Sequence, residues 1–496
     1  TKGPFQCRIM FGDWTCRNIE SKAGRLPLFG RYHQAPRSLE DDYEVTKTVL
    51  GSGVSGDVLL GISRLQRSRQ VAIKTASLVG VAPQKVEDLK SELKILLCMD
   101  HPHVVRLLDV YVSDTKLDMV MECMQGGELK KRCQQIRMEE EEAAALVRQM
   151  LLALSYLHGH GVVHRDLKVG NFMYTRDRQV LKLIDFGLSK FYGRPTDRFD
   201  AVMRTCCGTL GYCAPEVFAE AYNSQCDMWS LGVLVYLLLS GEMPFFDKNE
   251  EILVAKTRRG EYQMKPTLWM GVSLEAADFT QALLRVDPEK RMTANEALQH
   301  PWLQATLPPI VRHVSASILE DLGNFAEETP LRRSFKRLMA ISLDDGKLQE
   351  QREAFLVLDA SHQGKILAPD LEEMLKQRLE LDPDKAQDVT RALDIAGDNS
   401  VRFTDFLAAT FPSTDLEDSL LQTTFRRLDR EAKGHVSIED VHAVVGELRD
   451  GPPGELLKWL EAVRGRRLKY PQFKAYLDGS EDPIRAGGQK GCCCLQ

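Results

Sequence analysis

The chain has 496 residues, 43% hydrophobic and 27% charged, ordinary globular values with room for about three domains. Its formal charge of −6 argues against a general nucleic-acid binder, and its longest apolar run, Leu231 to Leu239, is too short to cross a bilayer and reads as a buried helix. The twelve cysteines lack paired CxxC metal spacing, apart from three bunched at the C-terminus, and read as reduced thiols of a cytoplasmic protein.

Residues 1–42 mix aromatics, basic residues and glycine without two-residue or helical periodicity, which predicts a flexible extension. The sequence begins at Thr1 without methionine, so a signal peptide or myristoylation signal cannot be judged from it. A β-prone run then leads into Leu50-Gly51-Ser52-Gly53-Val54-Ser55-Gly56-Asp57-Val58. Glycines at GxGxxG spacing let backbone amides approach phosphates where a side chain would clash. A dinucleotide fold would place a helix straight after such glycines. Here the next element is Val71-Ala72-Ile73-Lys74, a short strand ending in a cation.

Lys74 needs a carboxylate to hold its ammonium against phosphates. Glu87, Asp88 and Glu92 are the candidates, all within Gln84 to Met99, where Val86, Leu89, Leu93, Leu96 and Leu97 make an apolar helical face. Leu117 to Glu122 alternates as a strand. Glu122-Cys123-Met124 would offer backbone groups to a base edge.

Gly126-Gly127-Glu128-Leu129 opens a helical lobe, with an apolar-striped helix from Ala143 to Leu157. Next comes His164-Arg165-Asp166-Leu167-Lys168-Val169-Gly170-Asn171, followed by Asp185-Phe186-Gly187. An acid, a lysine, an amide and a second acid stand at spacings that phosphoryl transfer needs. Asp166 can accept a hydroxyl proton and Lys168 can neutralise charge on the moving phosphate, while Asn171 and Asp185 are oxygen ligands suited to Mg²⁺. Ala214-Pro215-Glu216 follows after 26 residues, Asp227-Met228-Trp229 starts the buried apolar helix, and His300-Pro301-Trp302 closes the lobe. Arg291 is a reasonable buried partner for Glu216.

Residues 43–302 resemble the eukaryotic protein-kinase domain, most closely its calcium- and calmodulin-regulated serine/threonine group; Lys168 two residues after Asp166 is the serine/threonine form. The resemblance implies an α+β bilobal fold, ATP with Mg²⁺, and Glu92 as the partner of Lys74. It also implies ATP contacts from Leu50 to Val58, Ala72, Met121 as gatekeeper, Glu122, Met124, Glu128 and Met173. A glutamate like Glu128 favours protein substrates with a basic residue upstream of the target serine or threonine. There are two departures. Val169-Gly170 replaces the usual Pro-Glu, beside a Mg²⁺ ligand where small shifts are expensive. Gly211 replaces a tyrosine near the substrate. Both support the alternative of a membrane-tethered pseudokinase scaffold.

Within 303–345, Ile318 to Leu343 reads as a helix, with Leu331, Phe335, Leu338, Met339 and Ile341 on one face and Arg332, Arg333, Lys336 and Arg337 opposite. A basic amphipathic helix suits a calcium-sensor groove, a membrane surface or an acidic kinase cleft. Its place directly after a kinase-like domain favours an autoinhibitory junction.

Residues 346–479 hold four repeats, with loop first positions at Asp359, Asp394, Asp429 and Glu461, and Ile366, Val401, Val436 and Leu468 at position eight. A calcium loop needs oxygens at one, three and five, a glycine at six and a bidentate glutamate at twelve. The first loop offers Asp359, Ser361, Gln363, Gly364 and Asp370. The second offers Asp394, Ala396, Asp398, Asn399 and Asp405; the third, Asp429, Glu431, Lys433, Gly434 and Asp440. The fourth, with Glu461, Val463, Gly465, Arg466 and Gln472, should not bind calcium. Asp at position twelve is a methylene short, and Lys433 puts a cation in the ligand shell. Asn399 tolerates a left-handed backbone, so the second loop is the best candidate. This reads as an all-α, calmodulin-like domain with poor or selective Ca²⁺ binding.

Kinase, basic junction and four EF-type repeats in this order resemble the calcium-dependent protein kinases of plants and protists, over residues 43–479. That resemblance implies an intramolecular contact between the EF-hands and the junction, moved by calcium. In the tail, 480–496, Cys493-Cys494-Leu495-Gln496 fits a C-a-a-X farnesylation signal. Cys492 is placed for a second, palmitoyl lipid, which stable membrane association needs.

Overall fold

The computed structural model describes residues 28–53, 56–134, 137–192, 203, 208–306, 314–379, 381–394, 397–412, 417–445 and 467–478. Runs rich in β-branched and aromatic residues, separated by polar and glycine turns, build the first lobe. Its strands are β1 (Tyr32–Gln34), β2 (Tyr43–Gly53), β3 (Gly56–Ser63), β4 (Gln70–Ser77), β5 (Leu107–Val112) and β6 (Lys116–Glu122), ordered β1-β5-β6-β4-β3-β2. The register pairs Val58 with Lys74 and Ala72 with Met121. Because Ala72 and Lys74 are two residues apart, these positions share one sheet face. Helix α1 (Pro83–Cys98) buries Leu89, Glu92, Leu93 and Leu96 against the lobe.

The expectation of a flexible extension over residues 1–42 is corrected for 28–42. Leu28, Phe29 and Tyr32 are buried, β1 pairs in parallel with β5, and the buried Arg31 donates to the carbonyls of Leu107 and Leu97 at 3.0 and 2.8 Å. A three-residue strand is too short to show a period, and its partner lies far along the chain. Residues 1–27 lie outside the described residues.

The second lobe is built on α2 (Glu140–Gly159) and α3 (Gln225–Ser240). Leu231 to Leu239 falls inside α3, which is buried almost all round. Arg291 makes a two-pronged ion pair with Glu216 at 2.6 and 3.1 Å and lies over the Trp229 ring at 5.2 Å.

The basic segment is two helices, α4 (Ala316–Glu327) and α5 (Pro330–Ala340), and not one. Proline is tolerated in a first helical turn but not inside a helix, so Pro330 starts a new one, and Thr329 Oγ1 accepts from the Arg332 amide at 3.3 Å. Among the described residues seven helices follow: α6 (Gln349–Leu358), α7 (Ala368–Leu379), α8 (Pro383–Leu393), α9 (Phe403–Thr410), α10 (Asp418–Leu428), α11 (Ile438–Val445) and α12 (Tyr470–Asp478). The position-eight residues pair in short strands, Ile366 with Val401 and Val436 with Leu468.

Each pair of hands closes over one junction helix. Ile318, Leu322 and Phe325 of α4 share a core with Phe355, Leu393 and Phe406. Leu331, Phe335, Leu338, Met339 and Ile341 share another with Phe425, Leu428, Phe473 and Tyr476. The junction thus occupies the EF-hand grooves. Its basic face is paired instead of solvated: Lys336 meets Glu328 at 2.6 Å, and Arg332 donates to the Leu477 carbonyl at 2.6 Å. No helix among the described residues is long and apolar enough to cross a membrane.

Candidate active site

Four segments bring their polar side chains together where the two lobes meet. Lys74 Nζ donates to Glu92 Oε1 at 2.5 Å, both buried, and lies 4.0 Å from Asp185 Oδ1. Glu87 bonds to Lys90 and Asp88 to Gln84 along the exposed side of α1. Glu92 meets the lysine because it shares a helix face with Leu89, Leu93 and Leu96. Burial pushes the Glu92 carboxyl up, and the Lys74 ammonium opposes that push. Asp185 is half exposed and accepts the Gly187 amide at 3.0 Å. Phe186 is buried, edge-on to the His164 ring at 5.4 Å.

In the catalytic loop, Lys168 Nζ donates to Asp166 Oδ2 at 2.5 Å and to Thr209 Oγ1 at 3.1 Å. Thr209 Oγ1 in turn donates to Asp166 Oδ1 at 2.8 Å. Asn171 Nδ2 donates to the Asp166 carbonyl at 2.8 Å, which leaves the amide oxygen as the atom a hard cation would take. With the Asp185 carboxylate, this oxygen donor set fits Mg²⁺.

Asp227 organises this loop, a role the sequence reading missed. Its oxygens accept the amides of His164 and Arg165, each at 2.9 Å, and meet His158 Nε2 at 2.9 Å. Burial works to raise its pKa, but those donors hold it below the usual carboxylate range. Arg165 has φ +70°, a strained conformation for a non-glycine residue, and the Asp227 contact fixes it. The signal in the sequence was a lone carboxylate opening an otherwise apolar helix.

Around the nucleotide loop, Gly51 pairs with Val58, Ser52 with Asp57 and Gly53 with Gly56, the last with φ +118°. Val54 and Ser55 lie outside the described residues. Met121 is buried. The Glu122 carboxylate turns into a buried cluster, accepting the Arg106 amide at 2.7 Å and Lys182 Nζ at 2.8 Å. A base would therefore meet the backbone of Glu122 to Met124 and not that side chain. Glu128 pairs with Met173 in a short ladder, and its carboxylate lies 3.5 Å from Lys131.

The two departures leave this geometry intact. A Cβ at Gly170 would meet no heavy atom within 4 Å, and the turn is closed by the Asn171 amide on the Lys168 carbonyl at 3.0 Å. A Cβ at Gly211 would come within 3.2 Å of Met243 Cε.

The calcium candidates behave differently. Position six is left-handed in all three described loops, at Gly364, Asn399 and Gly434, with φ +70°, +57° and +73°. The position-one carboxylates accept their own loop amides: Asp359 from Gly364 at 2.6 Å, Asp394 from Asn399 at 2.9 Å, Asp429 from Gly434 at 2.7 Å. Position twelve is used elsewhere in the second and third loops. Asp370 is exposed, Asp405 Oδ1 lies 3.5 Å from Arg337 Nε, and Asp440 caps its own helix through the Ser437 amide and hydroxyl at 2.9 and 2.8 Å. Asp398 accepts from the Ser400 hydroxyl at 2.6 Å, and Glu431 lies 2.8 Å from Lys433 Nζ. Burial pushes the Asp405 carboxyl up to about 6, against the pull of Arg337 and Arg402. Among the described residues no cluster of three or more acidic, histidine or cysteine side chains could hold a metal ion. The described residues of these loops do not fit calcium. Ala396 of the second loop, Glu461, Val463, Gly465 and Arg466 of the fourth, and Cys492 and Cys493 lie outside the described residues.

A sheet-rich lobe carrying a glycine hairpin and a lysine–glutamate pair, set on a helical lobe with this catalytic loop, defines a protein kinase. The sequence profile of the protein kinase domain matches residues 43–303. The chain is 30% identical over 461 residues to CDPK-related kinase 4 of Arabidopsis thaliana, covering 89% of this chain and 75% of that protein. It is 29% identical over 409 residues to calcium-dependent protein kinase 3 of Plasmodium berghei, covering 82% and 73%. To calcium/calmodulin-dependent protein kinase type 1 of Macrobrachium nipponense it is 37% identical over 320 residues, covering 61% and 90%. The chain belongs to the calcium-dependent protein kinase family, as a serine/threonine protein kinase with a C-terminal EF-hand-like domain.

Proposed function

We propose that Asp166 accepts the proton of a serine or threonine hydroxyl as that oxygen takes the γ-phosphoryl group of ATP. Lys168 neutralises charge on the group in transit and, with Thr209, fixes the Asp166 carboxylate. Lys74, held by Glu92, positions the ATP phosphates under the Gly51–Gly56 hairpin. Asn171 and Asp185 would hold Mg²⁺, which supplies charge neutralisation along the phosphates. The observation that carries this reading is the buried Lys74–Glu92 bond, 2.5 Å long, with Asp185 only 4.0 Å from the same ammonium. Phosphoryl transfer from radiolabelled ATP to a peptide tests it: Asp166→Asn should abolish incorporation while ATP still binds.

Glu128 supports a preference for an arginine or lysine upstream of the target hydroxyl. A peptide series with that residue replaced by alanine should raise KM for the wild type and not for Glu128→Ala. The C-terminal C-a-a-X sequence supports a cytoplasmic kinase held at membranes by lipid on Cys493 and Cys492. Incubation with a farnesyl donor should label the wild type and not Cys493→Ser.

The names of the relatives attach calcium to their regulation. In this chain the EF-hand domain acts through its hold on α4 and α5, which supports a regulatory module that keeps the junction out of the catalytic cleft. No calcium step is part of this reading.

A further inference from the structure

The second and third loops keep the backbone of calcium loops while carboxylates of each serve other partners. In the third loop, Lys433 at position five pairs with Glu431 at position three at 2.8 Å, and the charges of Asp440 and Asp429, positions twelve and one, add to the pull on its ammonium. That loop thus carries a cation the chain itself supplies, paired with one of its own acidic side chains. A divalent ion entering there would meet an ammonium inside its own ligand shell.

In the second loop the cation comes from the junction. Arg337 of α5 lies 3.5 Å from Asp405 at position twelve. The same guanidinium donates through Nη2 to the Ala392 carbonyl, in the last turn of the helix that enters the loop, at 3.1 Å. Entry helix and position twelve are therefore tied together by one partly buried group, a task that falls to the ion in a loaded hand. Arg402, Asp394 and Asp100 are the other charged groups around Asp405. Asp100 belongs to the kinase lobe and accepts from the Thr404 amide and hydroxyl at 2.9 and 2.8 Å, which fixes the start of α9 beside Asp405.

We propose that Arg337 and Lys433 are the resident cations of the second and third hands, and that Arg337 thereby holds the junction helix in the regulatory module without calcium. This rests on reading residues 330–340 as the regulatory junction; it concerns what holds that helix, not whether the kinase turns over.

The experiment uses the full chain, with calcium chloride alone as the probe. Amide hydrogen exchange is followed over residues 330–340 and calcium uptake by titration calorimetry. In the wild type, exchange of α5 should differ by less than about twofold between chelator and millimolar calcium. Arg337→Ala should speed it by about tenfold or more in chelator. Where that variant fails to fold, the isosteric Asp405→Asn reads the same pair and should give the same change. Lys433→Asp, which turns the third loop's cation into a ligand, should bind calcium about tenfold more tightly than the wild type, or better. The proposal is overturned if wild-type α5 becomes protected only on calcium uptake, if breaking the Arg337–Asp405 pair leaves exchange unchanged, or if Lys433→Asp gains no calcium. Loss of kinase activity with these exchange results intact would count against the catalytic reading alone.

Discussion

Arg427 of α10 and Asp109 of β5 form a buried ion pair at 3.1 Å, and this pair is a seam between the EF-hand module and the kinase lobe. Arg427 also donates to the carbonyls of Gly30 and Leu108 at 3.0 and 3.1 Å. Asp109 takes His33 Nε2 at 2.8 Å and the Tyr43 hydroxyl at 2.7 Å. One residue of the third hand is thus enclosed by the sheet and by the segment that precedes the kinase domain. Removing one side of a buried pair strands the other, at a cost of about 3–5 kcal/mol. Arg427→Ala should lose that much in denaturant unfolding and should loosen the module, raising the radius of gyration in solution scattering. Arg426→Ala is the control. Its pair with Asp42 is partly exposed, at 3.2 Å, and should cost under about 1 kcal/mol.

Asp42 gives the seam a pH dependence. Burial works to raise its carboxyl, but Arg37, at 2.8 Å, and the Tyr111 hydroxyl, at 2.6 Å, hold it down at about 2. A carboxyl lowered by folding contributes stability that is complete above its unfolded value and is lost as pH falls toward the folded one. The contribution is on the order of 2 kcal/mol. Urea midpoints should therefore separate the wild type from Asp42→Asn by a constant amount above about pH 5. The gap should shrink as the solution is acidified below about pH 4. A gap that widens on acidification would contradict this sign.

Asp227 should matter to rate and little to ATP affinity. It touches none of the nucleotide contacts; its partners are His158 and the two amides that set the loop carrying Asp166. In Asp227→Asn one acceptor becomes a donor facing an N–H, so that amide is left unsatisfied. A fall in kcat of about tenfold or more, with the KM for ATP within about twofold, is the expected outcome. Equal losses in both would mean that Asp227 holds the lobe together in general.

Gly170 should prove dispensable. Its position is open and not left-handed, so alanine there restricts the unfolded chain without a clash and should add roughly 0.4–1 kcal/mol. Unchanged kcat in Gly170→Ala, with a higher melting temperature, is expected; a large fall in kcat would show that the loop needs glycine's freedom.

Much of the kinase lobe was legible because its chemistry is local. Asp166, Lys168 and Asn171 share one loop, so spacing alone grouped them, and Lys74, inside β4, joined them through the order of motifs. Glu92 stood among three carboxylates on one helix, and the structure separates it from Glu87 and Asp88 by burial. What stayed hidden depends on contacts between distant segments. The order of residues 28–42 rests on β5 and on Arg427, far along the chain, and no local period announces it. The partners of the basic face of α5 stayed hidden because nothing near Arg337 in sequence shows that Asp405 and Ala392 will meet it. The loop ligands were readable as residue types, but whether position twelve turns inward depends on its competitors, and these come from other elements.

The central claim is that this constellation transfers phosphate, and the most direct measurement is label transfer from radiolabelled ATP to a serine or threonine peptide, with Mg²⁺ present, by the full chain and by Asp185→Ala. Steady transfer by the wild type and a loss of about a thousandfold or more in the variant is the predicted result. ATP binding by the wild type without transfer, or a variant as active as the wild type, would contradict the account.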